Sequence, residues 1–149
     1  MLGRIKDISF YVMIGAALWG FNKAIHSDFI ITFLKKDLIT ILIALLAINA
    51  TTSGLILTGL KSIVERHACD FSLTIKELKA SITEQLAFII IAVAVMSVME
   101  STWYRSTSDY VNYIFEVSLT SVFVAALSNL YDTASAIFIL VDQDNTPSS

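Results

Sequence analysis

Between Leu38 and Leu60 the chain runs for 23 residues, LITILIALLAINATTSGLILTGL, without a charge, bounded by Lys35-Lys36-Asp37 and by Lys61. A helix rises about 1.5 Å per residue, so this run reaches roughly 34 Å, and the hydrocarbon core of a bilayer is roughly 30 Å thick. Its middle is polar: Asn49, Thr51, Thr52 and Ser53 precede Gly54. Asn49 falls near the bilayer midplane, where lipid offers an amide no hydrogen-bond partner, so this stripe must face protein or water. Such a helix belongs to a multi-helix membrane protein.

Composition agrees. Of 149 residues 56% are hydrophobic and 15% charged, and mean hydropathy is +0.73; soluble domains carry about 25% charged residues. The length suits one membrane domain, residues 1–149. A net charge of −3, with no basic cluster beyond Lys35-Lys36, argues against direct nucleic-acid binding. One cysteine, Cys69, rules out an intramolecular disulfide. The amino terminus reads as an uncleaved first helix, and neither end carries a lipidation motif.

Four spans are expected, at about 8–24, 38–60, 84–104 and 111–141. The first is short and needs Arg4, Lys6 and Lys23 to snorkel from its ends; Gly15, Ala16 and Gly20 give it a small face for close helix contact. The apolar hexapeptide 29–34 is too short to span and is expected to lie in the interface or cap the bundle, with a re-entrant turn as the other option. Residues 61–83 are expected to form a charged helical hairpin between spans two and three. Lys61–Glu65 and Arg66–Asp70 are i,i+4 pairs, and Thr74-Ile-Lys-Glu77 and Ser81-Ile-Thr-Glu84 match the capping box. Ile63 and Val64 are expected to close against Ile75, Leu78 and Ile82. Trp103, Tyr104, Tyr110 and Tyr113 mark a headgroup boundary. The polar tail 142–149 is expected to be disordered.

The fold class is therefore all-α, an integral membrane four-helix bundle with a cytoplasmic hairpin extension. Arg4, Lys6, Lys61, Arg66, Lys76 and Lys79 would lie on one side, and Lys23, Lys35, Lys36 and Arg105 on the other. The larger set favours a cytoplasmic amino terminus and a cytoplasmic hairpin, and with four spans both termini share that side.

Several residues are candidates for function. Glu100, Glu116 and Asp132 lie within or beside spans, where acids are functional candidates. Sixteen residues turn a helix by about 160° net of full turns, so Glu116 and Asp132 cannot line one narrow stripe. Structural roles compete, with Arg105 or Lys23 as the cation for Glu100. Asn49, Thr52 and Ser53 would either line a pore in an oligomer or bond to neighbouring helices, and Ser128 or Asn129 is the expected partner of Asn49. His67, Cys69 and Asp70 lack the four-ligand pattern of structural zinc, so no metal is expected. No cofactor or enzymatic motif is present either.

The layout resembles small four-span membrane proteins of bacterial anti-phage systems, such as the Kiwa membrane subunit and the Rex exclusion membrane protein. The likeness lies in size, the charged hairpin and the polar-centred second span. It implies a homo-oligomer embedded in lipid that senses envelope disturbance or permeabilises the membrane, with a cytosolic protein partner. The expectation is a non-enzymatic sensor or scaffold, with Arg66, Lys76 and Lys79 docking the partner; the alternative is an ion-conducting pore.

Overall fold

A computed structural model describes the backbone of residues 2–67, 72–106 and 108–144, with side chains for 7–60, 72–102, 104, 106 and 108–136. The described residues are helical. There are four long helices, α1 (Leu2–Ala24), α2 (Phe29–His67), α3 (Ser72–Met99) and α5 (Asp109–Asp144); a turn follows α1, and the one-turn α4 (Thr102–Arg105) lies between α3 and α5. Three stretches are long and apolar enough to cross a membrane: Phe29–Leu60, Ser72–Met99 and Asp109–Ala136. The region 8–24 of α1 is helical but does not join them by that measure.

Three boundaries differ from the sequence reading. The hexapeptide 29–34 is the first part of α2 and not a cap, because Ile31 and Leu34 continue the buried stripe of the central helix. Lys35, Lys36 and Asp37 interrupt composition without breaking the helix, since the two lysines are good helix formers and all three lie off the fully buried stripe. The third span ends at Met99 and not at Tyr104; the chain turns through Glu100 and Ser101 before α4. Ser101 closes that turn by donating to the Val98 carbonyl at 2.7 Å and accepting from the Tyr104 amide at 3.2 Å. At the other end of the chain α5 continues to Asp144, so the tail's first three residues are helical and 145–149 lie outside the described residues.

The turn between α1 and α2 is built by backbone hydrogen bonds. His26 donates to the Lys23 carbonyl at 3.1 Å and Ser27 to the Asn22 carbonyl at 2.9 Å. This is the helix-ending pattern that places a residue in left-handed backbone, and His26 has φ 55°. Asp28 then opens α2, its carbonyl accepting from the Thr32 amide at 2.9 Å.

Helices α2, α3 and α5 pack on one another, and α1 lies chiefly against α5. On α2 the buried stripe is Ile31, Leu34, Leu38, Leu42, Leu45, Asn49, Ser53, Ile56 and Leu60. Steps of three and four keep these residues on one side of a helix. Leu34, Leu38 and Leu42 meet Ala92 and Met99 of α3 and Leu119, Val122 and Ala126 of α5 in the larger core cluster. At the opposite end Ile56, Leu60 and Leu78 form a smaller one. Leu78 thus meets Ile56 and Leu60, while Ile75 stays exposed; the hairpin's expected partners Ile63 and Val64 lie outside the described side chains. The cores sit on either side of a polar layer.

Candidate functional site

That polar layer occupies the centre of the bundle. α2 brings Asn49 and Ser53, α3 brings Ser81 and Gln85, and α5 brings Asn129 and Thr133. Asn49 Nδ2 donates to Asn129 Oδ1 at 3.1 Å and to Ser81 Oγ at 3.0 Å. Ser81 Oγ donates to Asn129 Oδ1, while Asn129 Nδ2 donates to the Ser81 carbonyl at 3.2 Å. Thr133 Oγ1 lies 2.9 Å from Ser81 Oγ and donates to the Asn129 carbonyl at 3.1 Å. One asparagine from each of two helices and one serine from the third are therefore mutually bonded. In lipid such bonds average about 0.6 kcal/mol each, so the layer acts through register as much as through energy.

The layer is not fully satisfied. Asn49 Oδ1, Ser53 Oγ and both amide atoms of Gln85 are buried without a hydrogen-bond partner among the described residues. Asn49 and Gln85 are 0% exposed and Ser53 is 1% exposed. Unpaired buried groups of this kind cost about 1–3 kcal/mol each.

Asn49 therefore makes the contact with Asn129 that its position suggested. Asn49 and Ser53 both face the inside of the bundle, and Asn49 bonds there to α3 and α5. Thr52 and Ser128 are half-buried and stand outside the bonds just described. Ser81, Gln85 and Thr133 are members that the sequence reading missed. The signal for the first two was available: Leu78, Ser81, Gln85, Phe88, Ala92, Val95 and Met99 repeat in steps of three and four. Read as a capping residue, Ser81 was separated from that stripe.

A second cluster lies at the α1–α2 turn end. Glu116 of α5 accepts from Trp19 Nε1 at 2.9 Å, and its oxygens lie 3.9 Å from Lys23 Nζ and 3.9 Å from Lys35 Nζ. Its side chain is 13% exposed, against 40% for Lys23 and 43% for Lys35. Partly exposed charges at that distance contribute little, so the Trp19 bond and the Trp19–Tyr113 ring contact at 5.0 Å define this junction. Tyr104, on α4 outside the candidate spans, has its phenol pushed above the usual range, first by burial and then by the Glu116 charge. Lys23 also pairs with Asp28 at 3.0 Å. Lys23 is accordingly not held for Glu100, which is exposed and shares a small recess of about 40 Å³ with Lys35. The Arg105 side chain lies outside the described residues.

Asp132 is exposed and lies at the other end of α5, in a cleft beside α3. The three acids thus occupy separate surroundings. Lys76 and Lys79 are exposed on α3 near its start; Arg66 lies on the last turn of α2, and its side chain is outside the described residues. No grouping of three or more His, Cys, Asp or Glu suited to a metal occurs among the described residues.

No protein-family model, no curated protein and no solved structure matches this chain.

Proposed function

We propose that this chain is a non-enzymatic, homo-oligomeric protein of the bacterial inner membrane that serves as a sensor or scaffold for a cytosolic partner, in a setting such as anti-phage defence. In this reading α1 is the fourth crossing. Its 23 residues reach about 34 Å, and it lies along α5. Both termini and the α2–α3 connection then face the cytoplasm, in line with the larger share of Lys and Arg on that side.

The observation that carries the reading is the burial of Asn49 and Ser53 at 0% and 1% exposure. Asn49 links helices within one protomer and Ser53 is buried beside it, so a conduction path between protomers would have to do without these two. Glycine and alanine on the outer side of α2 (Ala47, Ala50, Gly54) remain exposed and suit contact between copies. Lys76 and Lys79 are exposed near the start of α3, and together with Arg66 they are the residues this reading assigns to docking the partner.

Reversing Arg66, Lys76 and Lys79 to Glu together is expected to leave the assembly intact and to abolish capture of the cytosolic partner, since exposed charges govern association more than folding. Mass measurement in gentle detergent and pull-down from membranes give the two readouts. A strict monomer overturns the oligomer, and a triple variant that captures its partner normally reduces the hairpin to a connector.

A further inference from the structure

The polar atoms of the central layer that lack partners among the described residues are Asn49 Oδ1, Ser53 Oγ and both amide atoms of Gln85, and their placement is regular. α2 and α5 run in one direction and α3 against them, since Asn49 meets Ser81 and Asn129 at the centre while Ile56 and Leu60 meet Leu78 and Ala136 at one end. Ser53 stands one turn from Asn49 toward that end, level with Thr133, and Gln85 stands one turn from Ser81 in the opposite direction. Two turns, about 12 Å along the axis, therefore separate Ser53 from Gln85. No single ion or water serves both.

A single displacement matches them all. When α3 moves one turn toward its own amino-terminal end, about 6 Å for four residues, Gln85 takes the place of Ser81 between Asn49 and Asn129. Ser81 then comes level with Ser53 and Thr133. Asn49 Oδ1 gains an amide donor, the Gln85 amide gains both asparagines, and Ser53 Oγ gains the Ser81 hydroxyl. The inward side of α3 tolerates the step, because Phe88, Ala92, Val95 and Met99 continue the stripe of Ser81 and Gln85 in steps of three and four. An apolar side chain thus replaces each of those that move. The displacement is taken up at the turn of Glu100 and Ser101, where it breaks the two bonds of the Ser101 hydroxyl. Close-packed helices exchange between such discrete seatings and do not slide continuously.

We infer that α3 has two registers against α2 and α5, the observed one and a second displaced by one turn, and that exchange between them is the switching movement of this bundle. Lys76 and Lys79, near the start of α3, travel with it by about 6 Å. That this stroke reaches a cytosolic partner rests on the docking reading above. The two registers rest on the polar layer alone.

The test reads the registers and no partner. Leu38 and Ala92, both fully buried, lie eleven residues from Asn49 and Ser81 on these antiparallel helices, so they share a level in the observed register. Met96, four residues beyond Ala92, takes that level only after the displacement. In a Cys69→Ser background of the full chain in phospholipid nanodiscs, copper–phenanthroline should oxidise Leu38→Cys with Ala92→Cys to the intramolecular disulfide. Leu38→Cys with Met96→Cys should give one as well, more slowly. Gln85→Met keeps the side-chain length but loses the amide, and should slow the second product about tenfold while leaving the first unchanged. Ser53→Ala, which removes the other new pairing, should slow it likewise and decides alone where Gln85→Met does not fold. Absence of the 38–96 product, or a rate unchanged in the folded variants, overturns the second register and assigns the unpaired groups to internal water.

Discussion

Asn129 and Asn49 are bonded to each other, yet their loss should not be equivalent. Asn129 Oδ1 accepts from both Asn49 and Ser81, and its Nδ2 donates to the Ser81 carbonyl. Asn129→Leu therefore strips the buried Asn49 amide and the half-buried Ser81 hydroxyl of their shared acceptor and should cost about 1–3 kcal/mol. Asn49→Leu removes a donor but also removes an orphan acceptor, and Ser81 still serves Asn129. Its cost should stay near the ~0.6 kcal/mol typical of an interhelical bond in lipid. Reversible unfolding in mixed micelles measures both. Equal costs, or the reverse order, would show that the bonding asymmetry does not govern stability.

At the scale of the helix, the crossing of α1 over α5 depends on one glycine. A Cβ placed on Gly15 would meet the Ser121 backbone nitrogen at 2.8 Å and Cα at 2.9 Å. Backbone atoms cannot swing aside, so the helices must separate. Gly15→Ala should cost about 1–3 kcal/mol, the usual range for overpacking, and should loosen the Trp19–Glu116 bond one turn further along α1. Gly20→Ala meets nothing within 4 Å and should be neutral. Thermal melting with Trp fluorescence separates the two, and an unperturbed Gly15→Ala would mean that α1 does not sit where this crossing puts it. The sequence suggested a small face of Gly15, Ala16 and Gly20. Only Gly15 is buried, because Ala16 points outward and Gly20 lies beyond the point of closest approach.

For the whole molecule the proposed reading has α1 crossing the membrane. If it does, residue 7 and residue 27 lie on opposite sides of the membrane. In a Cys69→Ser background, Asp7→Cys and Ser27→Cys should be labelled by an impermeant thiol reagent from opposite faces of sealed vesicles. Labelling of both from one face would leave three crossings and place α1 along the surface.

The membrane class, the all-helical fold and the stretch around Asn49 follow from local sequence, because charge-free length and hydropathy are properties of a segment taken alone. The Asn49–Asn129 contact was also within reach, since an amide at the midplane has to find another polar group and few were available. What only packing decided is which side of each helix turns inward. The stripe from Ile31 to Leu60 runs unbroken through Lys35, Lys36 and Asp37, since those charges lie off the buried side, and no count of charges along the chain reveals that. Trp19 reads as a packing aromatic until α5 brings Glu116 to its indole nitrogen. Ser81 reads as a helix cap until α2 and α5 place an asparagine on either side of it. A hydrogen bond needs two partners, and for residues 32, 48 or 97 positions apart only the tertiary fold determines that they meet.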